Sequence, residues 1–379
     1  MFTPEPFSGV FSYHEMIFFE KAFKKTGKIL ANGFKNDKMM KTNWGKEKFN
    51  MVPVKKSITM KDVAKLAGVS VGTVSRVINN ENGIKELTLT KVKSAIEELN
   101  YIPDAYARGM KKNKTETVAL IIPTIWHPFF AEFAYFVENE LSNQNYKMLL
   151  CNISGSKKEI EYITMLQQNK VDGIIAITYS PIEDYLTTNI PFVSIDRTYD
   201  NKNIACVTSD NKAGGCLAAK MLLEKGCQQL AFIGGHNQTT NETKNRHRYF
   251  KQSLEELGKN CHVLDYDEDM GDTKEQVRAF LEEHPAIDGI FTINDFLALD
   301  VIEILRQLGK RVPEDVQVIG YDGIRLAMER KNPVSTIKQP LEDMAKEAVQ
   351  ILLSIIDGVP HKMQSILPIS FIEGPTTKN

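Results

Sequence analysis

Residues 59–79, Thr-Met-Lys-Asp-Val-Ala-Lys-Leu-Ala-Gly-Val-Ser-Val-Gly-Thr-Val-Ser-Arg-Val-Ile-Asn, leave the chain little choice of local structure. Val63, Ala64 and Ala67 recur at helical spacing, and Gly68 follows where a helix must end sharply, because glycine enters the left-handed region without a Cβ clash. Ser70 then offers an N-cap, and Val74, Val77 and Ile78 line one side of a second helix. The opposite side carries Thr73, Ser75, Arg76 and Asn79. Short hydrogen-bonding groups with one guanidinium suit phosphates and base edges in a major groove, so the pair reads as a helix-turn-helix. A helical hairpin with no nucleic-acid role can share this spacing, and the residues that follow decide between the two.

A third amphipathic helix is expected over 88–99, with Val92, Ala95, Ile96 and Leu99 on its core side. It ends in Asn-Tyr-Ile-Pro at 100–103, where Pro103 forbids continuation. Residues 104–114 can cap at Asp104 and form about two helical turns, too few to persist alone in water. With these segments in order, the chain resembles the LacI/GalR family of bacterial transcription regulators. Residues 58–79 match the family's helix-turn-helix nearly residue for residue, 100–103 its third-helix exit and Ala107-Arg108-Gly109-Met110 its hinge helix; the resemblance spans residues 58–373.

The resemblance implies an all-α helix-turn-helix DNA-binding headpiece joined to an α/β two-lobed periplasmic-binding-protein-like domain with doubly wound parallel sheets. The residues agree with that fold. Short β-branched runs at 118–122, 148–152, 173–177, 192–195, 230–233, 289–292 and 316–320 alternate with amphipathic stretches such as 131–143, 214–223, 249–257 and 297–308. This is βαβ repetition, which gives parallel sheets covered on both faces. The expected division is a headpiece over 58–103, a hinge helix or linker over 104–114, one lobe over 115–208 with 341–368, and a second over 209–338 with 369–379. Residues 1–57 read as an extension, disordered or a start-site artefact, with Met51 a credible true start.

Charge supports the same division of labour. Residues 51–114 hold 12 Lys and Arg against 6 Asp and Glu, whereas 115–379 hold 26 against 37. The basic part is the one that meets DNA. On the family's pattern, the DNA-binding set is Thr59, Ser70, Val71, Gly72, Thr73, Ser75, Arg76, Asn79, Tyr101, Ala107 and Met110. Val71-Gly72 occupies the positions that set base preference. Met110 stands where the family commonly wedges a leucine into the minor groove, and Leu89 where an Arg often begins the third helix.

In doubly wound sheets, ligands sit beyond the carboxyl ends of the strands. Those ends carry 127–130, Asp196-Arg197, Asn294-Asp295 and Tyr321-Asp322. Each Asp by itself also suits a helix cap or a turn. The resemblance implies an effector site in which Phe129 is an apolar platform, Asp196 and Asp295 accept from ligand hydroxyls, and Arg246 donates. His127, Asp322 and Gln339 complete the set, Gln339 lying where the chain crosses back between lobes. Aromatic stacking with carboxylates and an Arg suits a polyol, so a sugar or sugar phosphate is the first expected effector. A purine stacked on 127–130, or another corepressor, is the alternative within the family.

Catalytic motifs are weak. There is no G-x-G-x-x-G, G-x-x-x-x-G-K-[ST] or H-E-x-x-H, and the G-x-S-x-G match at Gly68-Val69-Ser70-Val71-Gly72 falls on the turn of the helix-turn-helix, which leaves an enzyme, for instance a sugar kinase fused to a helix-turn-helix, as a minor alternative. No cofactor or metal is expected. Five cysteines without a C-x-x-C pair read as buried free thiols in a reducing compartment. No membrane span or secretory leader is evident, which implies a cytoplasmic protein. The resemblance implies a homodimer on a pseudo-palindromic double-stranded operator. The C-terminal residues 373–379 lack the leucine heptads of a tetramer. An effector would act by closing the lobes and shifting the hinges, as inducer or as corepressor.

Overall fold

The computed structural model describes residues 58–79, 81–102, 114–153, 155–168, 171–186, 190–199, 203–236, 239, 241–267, 273–325 and 332–378. The extension over 1–57 and the hinge residues Ala107 and Met110 lie outside the described residues.

The headpiece holds α1 (Met60–Ala67), α2 (Val71–Ile78) and α3 (Glu86–Glu98). Gly68 ends α1 at φ 65°, in the left-handed conformation expected of it. Ser70 caps α2 by accepting from the Thr73 N–H at 3.1 Å. α3 begins two residues before the expected start, with Glu86 in its first turn, where a carboxylate meets the positive end of the helix dipole. Val63, Val74 and Val92 are fully buried between the three helices, with Val77, Ala95 and Tyr101 around them.

The first sheet contains β1 (Thr117–Ile122), β2 (Lys147–Asn152), β3 (Gly173–Ala176), β4 (Phe192–Ile195), β5 (Ala205–Ser209) and β11 (Gln364–Leu367), in the order β11-β5-β4-β3-β1-β2. The second contains β6 (Leu230–His236), β7 (Cys261–Asp267), β8 (Gly289–Thr292), β9 (Gln317–Asp322), β10 (Ser335–Lys338) and β12 (Ser370–Ile372), in the order β12-β10-β9-β8-β6-β7. All pairs are parallel except β12, which runs antiparallel to β10. β12 arrives from the other sheet, so the crossover helix that makes βαβ strands parallel does not constrain it.

Both sheets are covered on both faces, as a parallel sheet requires. On the first, α4 (Pro128–Asn143) and α10 (Leu341–Ile356) bury Phe133, Val137, Met344 and Val349 against one face, and α5 (Ser156–Gln168) buries Ile163 and Leu166 against the other. On the second, α6 (Asn211–Glu224) and α7 (Lys244–Glu256) cover one face, and α8 (Thr273–Glu283) and α9 (Asp295–Gln307) the other. The chain passes between the sheets three times, after β5, after β10 and after β11. Cys151, Cys206 and Cys227 are buried thiols, whereas Cys216 and Cys261 are only half-buried.

Candidate functional site

On the headpiece, Val71, Gly72 and Arg76 are exposed along α2, while Thr73, Ser75 and Asn79 are half-buried. Several of these polar groups already have local partners. The Ser70 and Thr73 hydroxyls lie 2.9 Å apart, and Asn79 Nδ2 donates to Ser75 Oγ at 3.4 Å. Thr59 donates to Asp62 Oδ2 through its backbone N–H at 2.8 Å and its hydroxyl at 2.6 Å. Tyr101 is 8% exposed and packs into the headpiece core, so the structure gives it a packing role in place of a surface one.

Between the sheets lies a cavity of about 180 Å³ at the carboxyl ends of the parallel strands. His127, Phe129 and Phe130, at the start of α4, and Asp196, after β4, bound it from the first sheet. From the second come Arg246 on α7, Asn294 after β8 and Asp322 ending β9. Tyr179, Gly235, Asn241, Thr243, Lys244 and Ile293 complete the wall. Tyr179 was legible by the rule that found the others, since it follows β3; Asn241, Thr243 and Lys244 precede or open α7 and carry no such signal.

The two Asp residues take equivalent places on the two sheets. Asp196 has φ 56° and Asp322 φ 104°, left-handed values uncommon for a residue with a side chain. Strain of this kind persists where the surroundings over-determine it, and here hydrogen bonds do so. Asp196 Oδ1 accepts from Thr208 Oγ1 at 2.6 Å. Asp322 Oδ1 accepts from Gln339 Nε2 at 2.8 Å and from Arg246 Nη1 at 3.4 Å. Burial pushes both carboxyls above their ordinary value while Arg246 pulls them back, and Asp322 comes to about 6.

Arg246 is held on three sides. Its guanidinium lies 3.6 Å over the Tyr321 ring, Nε donates to Asn211 Oδ1 at 2.7 Å, and Nη1 donates to the Ile293 carbonyl at 2.8 Å. Asn211 Nδ2 reaches Thr208 Oγ1 at 3.2 Å, and Ser209 Oγ donates to Gln339 Oε1 at 2.8 Å. A continuous hydrogen-bonded layer therefore runs beneath the cavity from Asp196 through Asn211 and Arg246 to Asp322 and Gln339, across two of the three interlobe passages. None of Thr208, Ser209 or Asn211 stood out in the sequence.

Of the seven expected effector residues, His127, Phe129, Asp196, Arg246 and Asp322 line the cavity. Asp295 and Gln339 do not; both are fully buried below it. Asp295 Oδ2 accepts from the Ile324 N–H at 2.8 Å, and Oδ1 is buried without a partner. Its neighbour Asn294 faces the cavity instead and also caps α9 by accepting from Leu297 N–H at 2.8 Å. Among the described residues, no His, Cys, Asp and Glu cluster fits a metal ion, and no helix is long and apolar enough to cross a membrane.

Two family models match the chain, "Bacterial regulatory proteins, lacI family" over residues 59–104 and "Periplasmic binding protein-like domain" over 219–377. The chain is 38% identical to the ribose operon repressor of Halalkalibacterium halodurans, covering 84% of this chain and 97% of that protein. It is 36% identical to the repressor PurR of Aliivibrio fischeri, covering 80% and 93%. Among solved structures, a LacI family regulator from Enterococcus faecium with bound ribose aligns with a TM-score of 0.60 at 28% identity, covering 69% of this chain and 98% of that one. The lac repressor dimer bound to operator and an anti-inducer aligns at 0.75 and 23% identity over 85% and 99%, a likeness of fold. The helix-turn-helix, the two wound sheets and the relatives of near-equal length converge: the chain belongs to the LacI family of bacterial transcriptional regulators.

Proposed function

We propose that this protein is a cytoplasmic, homodimeric repressor that binds a pseudo-palindromic operator through α2 and is controlled by a small carbohydrate held between its lobes. It is a regulator and not an enzyme. The proposed division is a headpiece over 58–103, one lobe over 115–208 with 341–368, and the other over 209–338 with 369–379. The observation that carries the reading is the convergence of Asp196, Asp322 and Arg246 beside Phe129 and Phe130 in a cavity of about 180 Å³. Carboxylates and a guanidinium accept from and donate to hydroxyls, and an apolar ring face covers the carbon skeleton of a sugar. The ribose operon repressor among the relatives favours a pentose.

Homodimerisation has its own support. β2 is an edge strand of the first sheet, and Leu149 and Leu150 on it are 40% and 41% exposed, with Tyr135 of α4 49% exposed. Apolar residues on an unpaired edge suit burial against a second copy. The effector acts through its different affinity for open and closed lobes. A mobility-shift titration on a duplex selected from a random library, with ribose, other sugars or purine bases added, tests the reading. A sugar-dependent change in operator affinity supports it. Response to a purine alone transfers the cavity to the other branch of the family, and no selection of a duplex rejects the regulator itself.

A further inference from the structure

Arg76, in the last turn of α2, is not a free cation. Its Nε donates to Glu81 Oε2 at 3.1 Å, and its Nη2 reaches the Asn82 carbonyl at 3.4 Å. The backbone closes the ring, since the Glu81 N–H donates to the Arg76 carbonyl at 3.0 Å. Gly83 follows at φ 87°, a turn that favours glycine. Nε–H and one Nη2–H form the side edge of the planar guanidinium, and the Glu81 carboxylate takes from that edge. The end-on pair, Nη1–H with the second Nη2–H, is left as a fork that matches guanine O6 and N7.

We propose that Glu81 is a specificity-positioning residue: by clasping the side edge of Arg76 it fixes the guanidinium plane so that the end-on fork reads a guanine in the operator. This rests on the reading of α2 as the operator-reading helix. Both partners are about half exposed, 50% and 46%, so the pair adds little to folding stability. A carboxylate beside a phosphate-facing helix also weakens non-specific attraction to DNA. Stability and non-specific affinity therefore give no reason for Glu81, whereas orientation of Arg76 does. The two effects predict opposite signs when Glu81 is removed.

The test uses the full-length protein and three duplexes: one selected by the wild type from a random library, the same duplex with its half-site guanines replaced, and an unrelated sequence. Glu81→Ala should lower the preference for the selected duplex over the guanine-replaced one by about 3- to 10-fold, while affinity for the unrelated duplex stays level or rises. Glu81→Gln keeps an acceptor for Nε–H and should recover most of the preference. In an Arg76→Ala background, Glu81→Ala should change the preference no further. Wild-type preference in Glu81→Ala, or an equal rise on all three duplexes, overturns the proposal. If Arg76→Ala itself leaves the preference intact, the reading of α2 fails first and the clasp with it. Arg76→Lys, which keeps the charge and loses the fork, should match Arg76→Ala in preference; if it matches the wild type, orientation of the fork is not what is read.

Discussion

The His127 ring, at the start of α4, lies 4.5 Å from the Phe296 ring on α9, centroid to centroid, inclined at 34°. These side chains belong to opposite lobes and meet at the edge of the cavity. A second contact spans the same gap, where Arg325 Nη2 donates to Glu132 Oε1 at 2.6 Å. Burial lowers the His127 imidazole to about 4, and its Nδ1 accepts from the Phe129 N–H at 3.3 Å, so the ring that meets Phe296 is neutral. An aromatic pair and an ion pair thus bridge the two lobes.

Removing the ring on α9 tests that bridge. An aromatic pair contributes about 0.5–1.5 kcal/mol beyond buried area, so Phe296→Ala should weaken effector binding by about 2- to 10-fold. Operator affinity without effector should stay at the wild-type value. Calorimetry with the effector found by mobility shift reads the first, and the shift assay the second; undiminished effector affinity removes the ring contact from the closed state.

Acid should weaken the effector site through two groups acting in the same direction. Asp322 is ionised above about 6 and accepts best there, so about a tenth remains ionised one unit lower and affinity should fall about tenfold between pH 7.5 and 5. His127 adds to this. The open form takes up a proton near the ordinary value of about 6.5 and the closed form only near 4, so closure is fully favoured above that window and lost progressively as pH falls through it. Asp322→Asn should flatten the upper part of the profile, measured by calorimetry across pH at constant ionic strength.

Asp295 should behave as a structural acid. Burial first, and then the nearby Asp322 charge, push its carboxyl well above the ordinary range. Asp295→Asn keeps an oxygen to accept from the Ile324 N–H and should leave stability within about 1 kcal/mol, with effector affinity unchanged. Asp295→Ala leaves the Ile324 N–H without its partner and should cost about 1–3 kcal/mol in urea unfolding. Loss of effector binding by a stable Asp295→Asn protein would return this residue to the cavity.

Gly215 sets the approach of α6 to α7. A Cβ there would stand 2.4 Å from the Arg246 carbonyl oxygen and 2.8 Å from the Phe250 nitrogen, both backbone atoms, so the helices would have to separate. Gly215→Ala should destabilise the lobe by about 1–3 kcal/mol and, by shifting Arg246, weaken effector binding while the headpiece still binds its operator. Thermal unfolding and the two binding assays check each part.

Local chemistry determined the elements of this protein. Gly68 could only end a helix, Ser70 could only begin one at low cost, and the β-branched runs before Asp196 and Asp322 had to be buried strands with polar groups beyond their ends. The strand-end rule therefore pointed to His127, Phe129, Phe130, Asp196, Asn294 and Asp322 without a structure, whereas Arg246, on a helix, came from the family resemblance. Other elements carried weaker patterns: β5 reads Ala-Cys-Val-Thr-Ser, and β10, β11 and β12 are short strands with few apolar residues. These strands exist because a neighbouring strand supplies their hydrogen bonds, which no window of sequence contains. The same holds for Asn294 and Asp295, adjacent in the chain and equally suited to a hydroxyl. Only tertiary structure separates them, because the start of α9 leaves Asn294 at the cavity wall while Asp295 turns beneath Gly320, whose missing side chain makes room for it.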